Sequence, residues 1–410
     1  MISIGSARSC SASSLRPGSI ALLGALAVLS IAACGDSASD TASGGNDNGG
    51  EAAGGNGNGA GSSDGGNTPT GGAASVGGGG GGGSAPKGLV PVFLAQGHMG
   101  RTTLTCDGGD TYVVNESEDD AFRCWSGDNT DCDHNAFAGR GLAYGNGVWI
   151  ATFGWGAPGT LRRSVDGITW QVVEADTPTY ADVAFGNGNF VTNNSPTRIS
   201  SDGITWTDGG SLDLQINTRA IEFVPHGDGV FVVTGESGET RDIVTSPDGV
   251  TWTHALNRPP ACGQYVRNLQ YGGGVIAIFS GAGHVCASSD GGDSWQLNQV
   301  SDNLTSGGVW TGSEFYVWAG STRWKSADGV SWSSDAGSPQ DLQLDGPVTR
   351  GADGTFVAVH QSWDNYYEDQ RFVFSSDGLS WQDASDYVGS HPMSFFQFGY
   401  VEPSAACPLP

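Results

Sequence analysis

The sequence predicts an all-β fold in which seven similar four-stranded units close into a ring, a seven-bladed β-propeller. Three observations predict this fold. A short turn motif recurs seven times, a glycine-centred hairpin alternates with it, and the two ends of the repeated segment each carry half of a further hairpin. We therefore expect one folded domain over residues 87–410.

The recurring motif contains a serine, an aspartate and a glycine, and it ends in an aromatic residue. It is clearest in SVDGITW, which begins at Ser164, and weakest in TCDGGDTY, which begins at Thr105. The aspartates lie 36 to 59 residues apart with a mean spacing of 45, which is typical of propeller blades. Aspartate can accept turn amides and glycine can adopt positive φ, so these aspartates are expected to be structural rather than catalytic. The seven are Asp107, Asp166, Asp202, Asp248, Asp290, Asp328 and Asp377.

The second element is a hairpin with a Gly-Asn-Gly or related centre, followed by an apolar run. Examples are LAYGNGVWIATF, which precedes the copy at Ser164, and LQYGGGVIAIFSG, which precedes the copy at Ser288. Glycine-rich centres suit the positive φ angles of hairpin turns, and Val, Ile and Phe suit buried strands. Each repeat therefore has four strands, with the hairpin and the aspartate turn on one face and the other loops on the opposite face.

The ends of the repeated segment predict how the ring closes. GLVPVFLAQG, residues 88–97, has the pattern of the second half of a hairpin, and FFQFGYVEP, residues 395–403, has the pattern of the first half. If the two pair, the C-terminal strand completes the first blade and the ring has no exposed sheet edge at the junction.

The motif resembles the Asp-box, or bacterial neuraminidase repeat, whose usual form is Ser-x-Asp-x-Gly-x-Thr-Trp. The copy from Ser288 to Trp295 has this spacing, the copy at Thr105 has the spacing with weaker residues, and the other five copies are one residue shorter. The resemblance covers nearly the whole segment and implies a sialidase-like β-propeller. It implies no single function, because such propellers include sialidases, other glycosidases, sorting receptors and photosystem assembly factors.

Residues 1–33 resemble a bacterial lipoprotein signal peptide. Two arginines precede an apolar run that is short for a membrane span, and the run ends in the sequence IAAC at Cys34. The resemblance implies that Cys34 becomes an acylated N-terminus, and an ordinary cleaved signal peptide is the alternative. Residues 34–86, rich in Gly, Ser and Asn, predict a disordered tether. Gly35, where an aspartate often retains lipoproteins in an inner membrane, favours the outer membrane or the cell surface.

Charge and cysteine content limit the partners and the compartment. The formal net charge of −26 excludes nucleic acid and leaves the lipid anchor as the expected contact with a membrane. We expect a monomer. Six cysteines remain besides Cys10 and Cys34, an even number that indicates disulfides in an exported domain, with 15 pairings open. The pairs that we favour are Cys124 with Cys132, Cys262 with Cys286 and, by what is left, Cys106 with Cys407.

The loop over residues 113–140 carries candidate calcium ligands. Asp131, Asp133 and Asn135 have the alternate spacing of a calcium loop, and Asp128 is near. The EF-hand pattern then fails, because an alanine and a leucine occupy the glycine and glutamate positions. A nonstandard calcium site and a solvated acidic loop closed by a disulfide are the two interpretations, and the sequence indicates no other cofactor.

The loop over residues 360–370 and a shorter one around Trp155 carry candidate ligand-binding residues. Aromatic rings next to carboxylates suit a sugar-binding surface, since rings stack on sugar faces and carboxylates orient hydroxyl groups. A protein interface uses the same residue types, and packing of the rings against a neighbouring loop is the third interpretation. The candidates in the longer loop are Trp363, Asp364, Tyr366, Tyr367, Glu368 and Asp369.

These features favour an anchored extracytoplasmic binding or scaffold protein for a glycan or an envelope protein. Enzyme activity is left open. The sequence lacks the Arg-Ile-Pro element of sialidases and no local group of three arginines replaces it. The alternative is a glycoside hydrolase, which requires two carboxyl groups roughly 5 to 10 Å apart across a pocket on the loop side of the ring.

Overall fold

The structure is a computed structural model of the chain, and it describes most of the folded segment. Within the described residues there is no helix long and apolar enough to span a membrane. The described residues are 86–97, 102–109, 113–115, 139–154, 159–177, 182–212, 217–237, 240–335, 344, 346–360, 371–383 and 393–409.

The described strands form seven four-stranded antiparallel sheets, and the predicted seven-bladed β-propeller is confirmed. Blade 1 contains β1 (Val90–Gly97), β2 (Thr102–Thr105), β3 (Val113–Asn115) and β28 (Met393–Val401). Blade 2 contains β4 (Gly139–Gly145), β5 (Val148–Phe153), β6 (Gly159–Ser164) and β7 (Gln171–Thr177). Blade 3 contains β8 (Val183–Gly186), β9 (Asn189–Thr192), β10 (Arg198–Ser200) and β11 (Thr207–Asp208).

The remaining four blades follow the same order. Blade 4 contains β12 (Asn217–Val224), β13 (Val230–Ser237), β14 (Thr240–Ser246) and β15 (Thr253–His254). Blade 5 contains β16 (Val266–Gly272), β17 (Val275–Ser280), β18 (His284–Ser288) and β19 (Gln296–Gln299). Blade 6 contains β20 (Val309–Trp310), β21 (Phe315–Ala319), β22 (Thr322–Ser326) and β23 (Ser333–Asp335). Blade 7 contains β24 (Val348–Arg350), β25 (Phe356–His360), β26 (Arg371–Ser375) and β27 (Gln382–Asp383).

Blade 1 is closed by the C-terminal strand, as the split hairpin predicts. β28 pairs with β1 in an antiparallel register that places Val90 opposite Val401. A disulfide between Cys106 and Cys407 ties the tail to the aspartate turn of the same blade. The second disulfide joins Cys262 to Cys286. Both pairings agree with the sequence prediction, whereas the predicted pair of Cys124 and Cys132 lies outside the described residues.

The aspartate turns have the hydrogen bonds that their sequence predicts. At Asp202, Oδ1 accepts the backbone N–H groups of Ile204 and Thr205, both at 2.8 Å, and the hydroxyl of Ser200 at 3.0 Å. The amides of Thr205 and Ile204 lower the pKa of Asp202 to about 2. The same bond recurs in the other copies: a serine hydroxyl donates to the aspartate in five of them, and the hydroxyl of Thr105 does so in the weakest copy. These aspartates therefore stabilise turns.

Six of the seven turns end in a tryptophan that anchors its blade to an apolar core. Six apolar clusters lie between the sheets, and each contains or contacts one turn tryptophan. The six tryptophans are Trp170, Trp206, Trp252, Trp295, Trp332 and Trp381.

Because all blades have the same strand order, the hairpins and aspartate turns share one face of the ring, here called the turn face. The loops after second strands and the crossovers between blades form the opposite face, here called the loop face. Contacts between blades on the turn face fix this arrangement: the amide of Asn146 donates to the carbonyl of Ser201 at 2.9 Å. Each innermost strand therefore begins at the loop face and ends at the turn face.

The innermost strands interlock around the axis, and each contacts the next all the way round. A glycine at the end of one strand makes room for the aromatic ring of the next: a side chain at Gly145 would clash with Phe185, and one at Gly186 would clash with Phe223. The space that these strands surround is here called the central channel.

Candidate functional site: the central channel

The site residues expected from the sequence all lie outside the described residues. This holds for the ligand-binding candidates Trp155, Trp363, Asp364, Tyr366, Tyr367, Glu368 and Asp369, for the metal candidates Asp128, Asp131, Asp133 and Asn135, and for Cys34. The described strands that flank the two ligand-binding loops end at the loop face, which agrees with their expected side of the ring. Their roles stay predictions.

The structure adds a site that the sequence did not indicate, at the loop-face half of the central channel. A cavity of about 650 Å³, which includes space open to solvent, is lined by residues from or directly before the innermost strand of every blade. Its polar and charged lining residues are Asp182, Glu222, Arg267, Asn268, Gln270, Thr349 and Gln397. Seven separate parts of the chain thus supply one polar cavity.

Three arginines occupy equivalent places where innermost strands begin. Arg140, Arg219 and Arg267 are each the extra residue of a β-bulge, in blades 2, 4 and 5 respectively. Bulges re-aim side chains and are common next to functional sites. The guanidinium of Arg267 packs against Gly281 of its own blade. A Cβ at Gly281 would lie only 2.7 Å from the Nε of Arg267. The three positions lie in different blades, so they are not local in the sequence.

Asp182 is a buried carboxylate that joins blade 3 to blade 4. Its Oδ1 accepts the N–H of Val183 at 2.8 Å and its Oδ2 accepts the N–H of Ile221 at 3.2 Å. Gly141 leaves room for it, because a side chain there would clash with the carboxylate. Burial raises the pKa of Asp182 to about 7 against the lowering effect of these two amides and of the Arg140 charge. Both oxygens therefore accept backbone amides of innermost strands.

Asn268 makes the equivalent link from blade 5 to blade 6. Its Oδ1 accepts the N–H of Gly308 and its Nδ2 donates to the carbonyl of the same residue, both at 2.8 Å. Gln270, two residues further along β16, accepts the N–H of Trp310 at 3.2 Å and donates to the carbonyl of Leu269 at 2.9 Å. Neutral amides can thus satisfy the backbone groups of the next innermost strand, which have no sheet partner on that side.

Glu222 is the second carboxyl group among the described residues that line the cavity. Its carboxyl accepts the N–H of Phe223. Burial, together with the nearby charge of Asp182, raises the pKa of Glu222 to about 8. A carboxyl group with a strongly raised pKa in a cavity is a candidate for ligand contact or proton transfer. Within the described residues, no group of three or more side chains has the composition of a metal site.

Comparison with known proteins supports the fold. No family model and no curated protein sequence matches the chain. Among solved structures, a functionally unknown protein from Desulfotomaculum acetoxidans is 10% identical with a TM-score of 0.50, and the match covers 77% of this chain and 100% of that chain.

Two further solved structures are similar to this chain at lower TM-scores. YCF48 bound to a D1 peptide is 14% identical with a TM-score of 0.45, over 77% of this chain and 95% of that chain. Apo AztD from Citrobacter koseri is 10% identical with a TM-score of 0.47, over 76% of this chain and 98% of that chain.

Proposed function

We propose that the protein is an exported, lipid-anchored binding propeller that holds a glycan or an envelope protein on its loop face, over the mouth of the central channel. The polar cavity at the loop-face half of the channel is the observation that carries this proposal. The aspartates of the turn face have a structural role, because in turns such as that of Asp202 the carboxylate oxygen accepts backbone amides and a serine hydroxyl. This favours the loop face as the binding side. We also propose that the protein is a member of the Asp-box family, and the hydrogen bonds of these turns support that assignment.

The loops at 113–140 and 360–370 and the shorter loop around Trp155 are proposed to form the rim of this site. Strand ends on the loop face flank all three. The aromatic rings would supply stacking surfaces and the carboxylates would supply hydrogen bonds, while the channel would receive one polar group of the ligand. Calcium at Asp128, Asp131, Asp133 and Asn135 is part of the proposal for the first loop.

A glycoside hydrolase remains the second candidate, because one cavity contains both Asp182 and Glu222. The hydrogen bonds of Asp182 weigh against it. Each of its oxygens already accepts a backbone amide, so it is poorly placed to attack a sugar or to activate water. A binding function therefore fits the described residues better than hydrolysis.

Glycan and peptide arrays probed with residues 87–410, with and without calcium, test the proposal. We expect retention of a glycan or a peptide without release of sugar. Trp363→Ala and Tyr366→Ala should reduce retention while the melting temperature changes little, and Ile204→Ala on the turn face is the matched control, since Ile204 is 52% exposed. Release of sugar would establish the hydrolase. Retention that survives both loop-face changes, or that Ile204→Ala abolishes, would contradict the proposal.

A further inference from the structure

The seven innermost strands have equivalent positions, so the residue at one position can be compared between blades. In blade 2, Ala143 lies two residues before Gly145, and each other blade has an equivalent position. In order from blade 2, with blade 1 last, the residues there are Ala143, Ala184, Glu222, Gln270, Val309, Thr349 and Gln397. Four of these side chains line the cavity and form its polar layer: Glu222, Gln270, Thr349 and Gln397. One blade therefore has an ionisable group where two others have its amide counterpart.

The amide at this position is sufficient for the structure. In blade 5, both polar atoms of the Gln270 amide are hydrogen-bonded to backbone groups. A carboxyl group at the same place in blade 4 costs stability, because burial and the charge of Asp182 disfavour its ionised form. Packing alone therefore does not account for Glu222, and a ligand that needs the carboxyl group would account for it.

Described charged groups from three other blades lie around Glu222. Asp182 faces it from the preceding blade and adds negative charge. Arg140, from blade 2, acts on Asp182 and lowers the pKa of that carboxyl, so these two charges offset one another. Arg267, on blade 5, lines the same cavity but packs against Gly281. Among the described groups that act on the pKa of Glu222, none is a cation.

The field of the domain favours cations in the channel. Residues 87–410 contain 38 of the 43 acidic residues and 15 of the 17 Lys and Arg residues, a formal net charge of −23. A cleft with low-dielectric walls focuses the field of the surrounding charge and raises the local concentration of ions of opposite sign. The lining amides and hydroxyl group of the polar layer also provide carbonyl and hydroxyl oxygens that accept from an ammonium group.

We propose that the channel binds its ligand through a protonated amine or guanidinium group that forms an ion pair with Glu222 and displaces the proton of its carboxyl to solvent. This inference rests on the proposed loop-face binding function and names the chemistry of the group that enters the channel. The step is balanced: a neutral carboxylic acid and a cation give a carboxylate paired with the same cation and one released proton. A basic peptide segment or an amino sugar would carry such a group.

Calorimetric titration of the full-length protein with a trilysine peptide tests the inference, with the fully acetylated peptide as the uncharged control. Titrations from pH 6 to pH 9, in two buffers of different ionisation enthalpy, count the released protons. We expect trilysine to bind and the acetylated peptide not to bind. Affinity should rise by up to about tenfold per pH unit below pH ~8 and level off above it, because the raised pKa of Glu222 makes ionisation part of binding.

Glu222→Gln should remove the pH dependence and weaken binding at pH 8 by about tenfold or more. It should fold, because glutamine occupies the same position in blades 1 and 5. Asp228→Asn is the matched control, since it removes one charge from an exposed turn-face residue and should leave affinity nearly unchanged.

Three results would overturn the inference: no binding of trilysine at any pH, an affinity that does not change with pH, or equal affinity in Glu222→Gln and the parent protein. If the arrays retain a ligand and trilysine does not bind, the loop-face function stands and the cationic group does not. If neither the arrays nor trilysine give binding, both proposals fail.

Discussion

Asp182 offers a test of whether a buried carboxylate in the channel serves structure or chemistry. Its oxygens accept two backbone N–H groups, from Val183 and Ile221. Asp182→Ala leaves both without an acceptor, and at about 1 to 3 kcal/mol for each buried unsatisfied amide the expected loss of stability is about 2 to 6 kcal/mol. Asp182→Asn keeps an acceptor for the neighbouring blade, as Asn268 does between blades 5 and 6.

The difference in stability between Asp182→Asn and the parent protein should depend on pH, because Asp182 titrates. Burial raises the pKa of Asp182 from 3.8 to about 7, so between these values the folded protein holds a proton that the unfolded chain has lost. Stability of the parent therefore falls as pH rises through this window, by up to roughly 4 kcal/mol for such a difference in pKa. Asparagine does not titrate. Asp182→Asn should be as stable as the parent or slightly less stable near pH 4, and it should be more stable than the parent at pH 8.

Urea unfolding at pH 4, 6 and 8 measures these differences. The reciprocal change, Asn268→Asp, is the matched control, and it should lose stability as pH rises where Asp182→Asn gains it. If Asp182→Asn were as unstable as Asp182→Ala at every pH, the negative charge itself would be required. The interpretation of Asp182 as a link between backbones would then be wrong.

Two further predictions concern the ring and its turns. Removal of the Cys106–Cys407 disulfide, which spans 301 residues, should cost about 6 kcal/mol by the chain-entropy estimate, against about 3.5 kcal/mol for the Cys262–Cys286 disulfide, which spans 24. Urea unfolding of the two double-serine variants compares them, and an equal or reversed order would contradict the role of the first bond in closing the ring. The backbone amides of the turn lower the pKa of Asp202 to about 2, so its contribution to stability should be present above pH ~4 and be lost between pH ~4 and ~2. Thermal unfolding of Asp202→Ala should therefore differ from the parent at pH 7 and approach it at pH 2, and a constant difference would contradict this.

The fold was predictable because its determinants are local and repeated. Each aspartate turn carries its own serine, aspartate and glycine within a few residues, so the hydrogen bonds at Asp202 follow from the sequence of that turn alone. Closure of blade 1 was also predictable, because half a hairpin at residue 88 and half at residue 403 have no other partner in the repeat.

The channel was not predictable, because its residues are distant in the chain and inconspicuous in their strands. Glu222 alternates with apolar neighbours as any half-exposed strand residue would, and Asp182 lies in an ordinary crossover. Their proximity arises from the ring, which brings successive innermost strands together. Aligning the repeats on the hairpin glycines would have found the signal, since the column that contains Glu222 also contains Gln270 and Gln397.

The central claim is that the ligand enters the loop-face half of the channel. Hydrogen exchange of the protein, with and without the ligand that the arrays retain, tests it most directly, because the backbone amides of innermost strands report on the channel itself. We predict slower exchange in β12 and β16, which carry Glu222 and Arg267, and no change in the aspartate turns. Protection confined to the aspartate turns, with β12 and β16 unchanged, would contradict the claim.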